Sequence, residues 1–133
     1  IVDSKLSERT GFSNSRQVWR VVRQRVVDSC ASVIDIDYLD ASLVPQLNRS
    51  IAEYSIYDYI ENQLHLIISH AFKEITIDNA TDQDKILIDL GKDQHVVCVR
   101  SKVYLNNGKQ FQFTESRHKL EKFKFVDYAK RHH

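Results

Sequence analysis

Hydrophobic positions recur with two different periods along this chain, and the change falls near Ile75. Over Ser15–Cys30, the residues Val18, Trp19, Val22 and Val26 fall on one side of a helix. Asn14 is placed to cap that helix, and Gln17 stands three residues on to reach back. Upstream, a short helix over Asp3–Arg9 closes at Gly11. Ser32–Asp40 alternates weakly and reads as a strand or a loop, and Asp40 can cap a short helix with Pro45 in its first turn. Ser50-Ile-Ala-Glu53 is a capping box that opens a long helix. In it Ile56, Ile60, Leu64, Ile67, Ile68, Ala71 and Ile75 keep helical spacing.

Beyond Ile75 the period becomes two. Lys85–Leu90, His95–Leu105 and Lys109–Glu115 read as strands. A three-residue loop, Asn106-Asn107-Gly108 with Gly108 left-handed, sets Phe111 opposite Val103 and Phe113 opposite Ser101. That register gathers Val99, Val103, Phe111 and Phe113 on one apolar face. A two-residue loop would instead set Tyr104 opposite Phe111 and Lys102 opposite Phe113. Ser116–Lys130 predicts a final helix with Leu120, Phe123 and Val126 inward, and Lys122–Phe125 also fits a strand. The expected fold is α+β. Helices of the N-terminal half (residues 1–74) pack on a three-stranded antiparallel β-meander, which a C-terminal helix closes (residues 75–133).

A chain of 133 residues with 42% hydrophobic and 28% charged residues fits one domain with one core. Three glycines and one proline favour long regular elements over disorder. No apolar run approaches the roughly 20 residues that span a bilayer, and no signal peptide is visible, so no membrane partner is expected. Cys30 and Cys98 stand far apart and outside any zinc spacing, which points to a reducing compartment, cytoplasmic or nuclear. The absence of Met fits a piece of a longer protein, and His132–His133 read equally well as tag residues.

Charge changes the picture more than composition does. Residues 1–30 hold six Lys/Arg against three Asp/Glu, residues 31–93 four against twelve, and residues 94–133 nine against three. Two basic segments flank an acidic one, although the whole chain carries a net charge of only +1. Arg16, Arg20 and Arg23 recur at helical spacing as a basic stripe. The segment Lys5–Val22 resembles a helix-turn-helix: a short helix, a glycine turn, and a second helix with a polar start. That resemblance implies that Asn14, Arg16, Gln17 and Arg20 meet base edges. It departs from the pattern at Gln17, which stands where an apolar anchor belongs. Phe123, Phe125 and Tyr128 are spaced as in the aromatic signature that the RNA-recognition motif stacks on bases, with Lys122 and Lys124 in place of its small residues.

These features make a non-enzymatic nucleic-acid-binding or regulatory domain the leading expectation, with DNA favoured over RNA and a homodimer expected. Arg16, Arg20 and Arg23 would meet phosphates or bases, and Arg100, Lys102, Lys122 and Lys124 phosphates. An alternative is a protein-interaction subunit that offers Tyr54, Tyr57, Asp58 and Glu61 to a basic partner. A metal-dependent nuclease would need Asp89, Glu115 and a lysine, but Arg117 stands where the lysine belongs and does not give up a proton at neutral pH. No catalytic residue, metal ligand or cofactor is assigned.

Overall fold

The structure, a computed structural model, describes residues 2–43 and 67–129. Among the described residues it is an antiparallel five-stranded sheet with two short α-helices, which overturns the expected packing of helices on a three-stranded meander. In chain order the elements are α1 (Ser4–Thr10), β1 (Val18–Val27), β2 (Cys30–Asp40), β3 (Ile68–Asn79), α2 (Asp82–Leu87), β4 (His95–Leu105) and β5 (Gln110–Lys119), with a 3-10 turn at Leu120–Lys122. The strand order across the sheet is β1-β2-β5-β4-β3. None of the described helices is long and apolar enough to cross a membrane.

The largest correction concerns Ser15–Cys30, which forms strand β1 and a turn rather than a helix. Val18, Val21, Val22, Val26 and Val27 are β-branched, and such side chains are stiff in helices and pack well on a pleated surface. Asp28 and Ser29 both take positive φ, 52° and 61°, and link Val27 to its partner Cys30. That is the geometry of a two-residue hairpin turn whose twist matches the strands. The short N-terminal helix is present. Asp3 accepts from the Leu6 N–H at 2.9 Å, and Gly11, at φ 86°, donates its N–H to Ser7 O.

Of the long helix expected from Ser50 to Ile75, residues 50–66 lie outside the described residues, as does Pro45. Its end is overturned, because Ile68–Asn79 is a strand. Lys85–Leu90, expected as a strand, begins as the end of α2. Thr81 and Asp84 form a reciprocal capping box that starts a helix against the local alternation. The C-terminal helix is also absent, since β5 continues to Lys119 and residues 123–129 are irregular.

The β4–β5 hairpin resolves the two registers in an unexpected way. Gly108 is left-handed (φ 83°), and Tyr104 faces Gln110 as a three-residue loop requires. A bulge then shifts the ladder by one, so Lys102 faces Phe113 and Val103 faces Gln112. The expected pairs Val103–Phe111 and Ser101–Phe113 do not form. Phe111 becomes the extra residue and is fully buried.

Cross-strand partners share a face, so the register sorts the sheet into two sides. One row of the first side runs Val22–Ile36–Glu115–Arg100–Glu74, and a second runs Gln24–Ile34–Arg117–Cys98–Thr76. Val2, Leu6, Phe12, Ile88 and Leu90 pack there against Ile34, Ile36, Tyr38, Val96 and Phe113. This helix-covered side holds the main core. Rows of the other side run Arg23–Asp35–Ser116–Val99 and Trp19–Leu39–Gln112–Val103. Val33, Leu39, Val97 and Val103 are buried there, outside that core cluster.

Candidate functional site

Both sides carry buried charge, and they differ in how completely it is satisfied. On the helix-covered side Arg117 donates from Nε to both oxygens of Asp84, and from Nη1 to Glu115 Oε1 at 2.9 Å. Arg100 reaches Glu115, Asp78 and Thr76, and Arg9 of α1 lies 3.3 Å from the other Glu115 oxygen. Burial raises the Asp78 pKa, but hydrogen bonds from Arg100 and Thr76 outweigh it and hold the carboxyl below its ordinary value. Burial pushes the Cys98 thiol up to about 12, with the Arg117 charge opposing. Asp78, Cys98 and Glu115 have metal-compatible ligand atoms within 4.8 Å of one another. Arg100 and Arg117 already bond to these groups, so this is a charge-balanced tie between helices and sheet and does not fit a cation.

The other side presents a polar strip with unmet capacity. Asp37, almost fully buried, accepts from Arg23 Nη2 at 2.8 Å and from Gln112 Nε2 at 3.1 Å. One register step along, Asp35 accepts from Arg25 and, at 2.6 Å, from Ser116 Oγ. Arg23 Nε and Gln112 Oε1 are buried and have no hydrogen-bond partner. A donor and an acceptor left so beside one carboxylate cost free energy that a polar ligand can recover. Burial raises the Asp37 pKa, with the Arg23 charge and hydrogen bond pulling the other way. His118, in the next row beside Val33, is held below its ordinary value by burial and by the Arg25 charge, against Asp35.

The nucleic-acid residues expected from sequence do not form one surface. Asn14, Arg16 and Gln17 lie in the connection before β1, where Arg16 pairs with Asp40 at 2.8 Å. Arg20 and Arg23, expected on one stripe, sit on opposite sides of the sheet because their positions differ by an odd number. Arg20 donates to Tyr38 OH at 3.2 Å on the helix-covered side. Arg100 belongs to the buried network and Lys102 sits beside Gly11, whereas Lys122 and Lys124 lie in the exposed tail. With β1 a strand, the helix-turn-helix reading has no second helix, and the aromatic signature at 123–128 lies on no strand. Asp89 accepts from Ala31 N and shares no partner with Glu115, so the nuclease arrangement does not assemble. Tyr54, Tyr57, Asp58 and Glu61 lie outside the described residues.

Arg25, Asp35, Asp37, Gln112 and Ser116 were missed as a site. Their signal was present as i, i+2 pairs: Arg23 with Arg25, and Asp35 with Asp37 between Ile34, Ile36 and Tyr38. Charges that alternate with apolar residues on a strand occupy one face.

Comparison with known proteins gives this face its context. Residues 1–124 match the UTRA domain family. The chain is 47% identical over 114 residues to the HTH-type transcriptional regulator TreR of Bacillus subtilis, covering 86% of this chain and 48% of that protein. It is 26% identical over 133 residues to the transcriptional repressor NagR of the same organism, covering 98% of this chain and 55% of the relative. The chain thus spans about half the length of these relatives. Among solved structures, the effector-binding domain of the B. subtilis trehalose repressor superposes with a TM-score of 0.90 at 41% identity, covering 99% of this chain and 92% of that one. The buried polar strip lies in a chain that belongs to the UTRA domain family.

Proposed function

We propose that this chain binds a small carbohydrate-derived effector on the polar strip of β1, β2 and β5, and that binding controls a DNA-binding segment of the same regulator. The observation that carries the reading is the pair of buried, unpartnered atoms Arg23 Nε and Gln112 Oε1 flanking Asp37. Carboxylate, amide and guanidinium groups are the complement of sugar hydroxyls, which both donate and accept. Arg23 and Arg25 remain 40% and 53% exposed in their side chains, so they can also take a negatively charged substituent on the sugar. Trp19, in the same row as Gln112, offers an aromatic surface at the margin. The likeness to the trehalose repressor effector-binding domain supports trehalose or a charged derivative as the ligand.

The test is thermal unfolding and titration calorimetry with trehalose and with phosphorylated trehalose, using maltose and sucrose as controls. A ligand at a hundred times its Kd should stabilise the fold by about 2.7 kcal/mol. Gln112→Ala and Arg23→Ala should abolish that gain while the free domain remains folded. Equal responses to all four sugars, or an undiminished response in both variants, would remove the strip from the reading.

A further inference from the structure

His118 of β5 lies on the same side of the sheet as the polar strip, one side-chain step beyond Ser116. Its ladder partners are Val33 of β2 and Val97 of β4, with Ile77 of β3 beyond. Asp35 is its diagonal neighbour on β2, at the roughly 7–8 Å that such neighbours keep. Arg25 of β1 stands in the same row on the far side of Val33 and reaches across to Asp35 Oδ2 at 2.7 Å. After β5 the chain turns, and the Phe123 ring meets the imidazole in a T-shaped contact with 5.2 Å between centroids. Among the described residues, neither ring nitrogen of His118 has a hydrogen-bond partner.

Few charges face this ring. Arg25 opposes a proton on it, Asp35 favours one, and burial opposes it as well. Farther along the strip, Arg23 and Asp37 bond to each other. β4 adds His95, two residues from Val97, and β3 offers only Ile77 in this row. In the turn Glu121 is held by Lys119 at 2.9 Å, and Lys122 and Lys124 flank Phe123. Phe123 covers one side of the imidazole and Val33 and Val97 flank it, so a charge on the half-buried ring is poorly screened by salt.

Resting on the reading that the strip takes an effector, we infer that His118 selects for an anionic effector through a proton: a negative group held by Arg25 draws a proton onto the imidazole, which becomes a second cation facing that group. The free chain keeps the ring neutral near pH 7, because Arg25 and burial prevail over Asp35. An anion on Arg25 cancels that repulsion and adds its own attraction to that of Asp35. The proton comes from bulk water, and no covalent bond to the effector forms or breaks. A neutral sugar changes neither charge and draws no proton. The coupling is reciprocal, so binding that takes up a proton tightens as pH falls.

The test is NMR titration of the His118 imidazole in the chain, free and saturated with phosphorylated trehalose or with trehalose. With the phosphorylated sugar, His118 should hold its proton at least threefold more tightly than in the free chain, and trehalose should leave it unchanged. Calorimetric titrations near pH 7 in two buffers of different ionisation heat should show proton uptake with the phosphorylated sugar, and His118→Gln should lower that uptake. Binding of the phosphorylated sugar with an unmoved His118, an equal shift with trehalose, or binding of trehalose alone overturns this inference and leaves the strip as the site. Binding of neither sugar overturns both readings.

Discussion

Arg117 of β5 holds both carboxylate oxygens of Asp84, at 2.8 and 3.0 Å, and so fixes α2 to the middle of the sheet. Both side chains are buried, Asp84 completely. Asp84 also caps its own helix by accepting from the Thr81 N–H. Removing Asp84 strips the buried Arg117 Nε of both its acceptors and leaves Glu115 as the nearest carboxylate to the guanidinium. Asp84→Ala is expected to cost about 3–5 kcal/mol in urea denaturation. The double variant Asp84→Ala/Arg117→Met should lose less than the sum of the two single losses, because the two residues contribute one shared interaction.

Asp37 is expected to behave in the opposite way. Its folded-state pKa lies above the unfolded value, so the unfolded chain ionises first as pH rises. Its ionisation therefore subtracts stability above the unfolded pKa, most fully once pH has passed the folded value. Asp37→Asn should leave the free domain at pH 7 as stable as the parent or slightly more stable, while weakening effector binding at least tenfold. A clear drop in the melting temperature of the free domain would mean that Asp37 is structural. Sites that trade stability for binding have this signature.

His118 gives a second pH dependence. Its folded-state pKa is depressed by burial and by Arg25, so the unfolded state takes up the proton first as pH falls. The fold should lose stability as pH drops below the ordinary histidine value of about 6.5. His118→Gln should flatten the acid limb of a stability–pH profile measured by denaturant titration. An unchanged limb would assign the slope to other groups.

Gly11 ends α1 with φ 86°, and a Cβ there would stand 3.0 Å from the Gln110 side-chain oxygen and 3.3 Å from Lys102. Gln110 meanwhile donates to Thr10 O at 2.8 Å. Gly11→Ala combines left-handed strain with displacement of that bond, and should lower stability by about 1–2 kcal/mol. The loss should appear as faster amide exchange in α1, with β4 and β5 unaffected.

What could be read from the sequence was local. The short helix closed by Gly11, the turn at Gly108 and the alternation of His95–Leu105 each depend on neighbours along the chain. The strand β1 was not legible as a strand. Its two faces carry Arg20, Val22 and Gln24 against Trp19, Val21, Arg23 and Arg25, so neither is purely apolar. An accidental helical spacing of arginines filled the gap, and the Asp28-Ser29 turn lacks the glycine that announces a hairpin. The insertion of β5 between β2 and β4 is a long-range choice that no local period records. The site followed the same logic, because Asp37 and Gln112 meet across 75 residues of chain.

Neighbouring residues of β2 serve opposite masters. Asp37 belongs to the polar strip on one side of the sheet, and Tyr38 takes hydrogen bonds from Arg9 and Arg20 under the helices. Among the described side chains, no hydrogen bond joins the strip around Asp37 to the network around Glu115. Substitutions on one side can therefore accumulate without loosening the other. Such a sheet can exchange one small molecule for another over evolutionary time and keep its architecture, with the alternation of a single strand separating what must be conserved from what is free to drift.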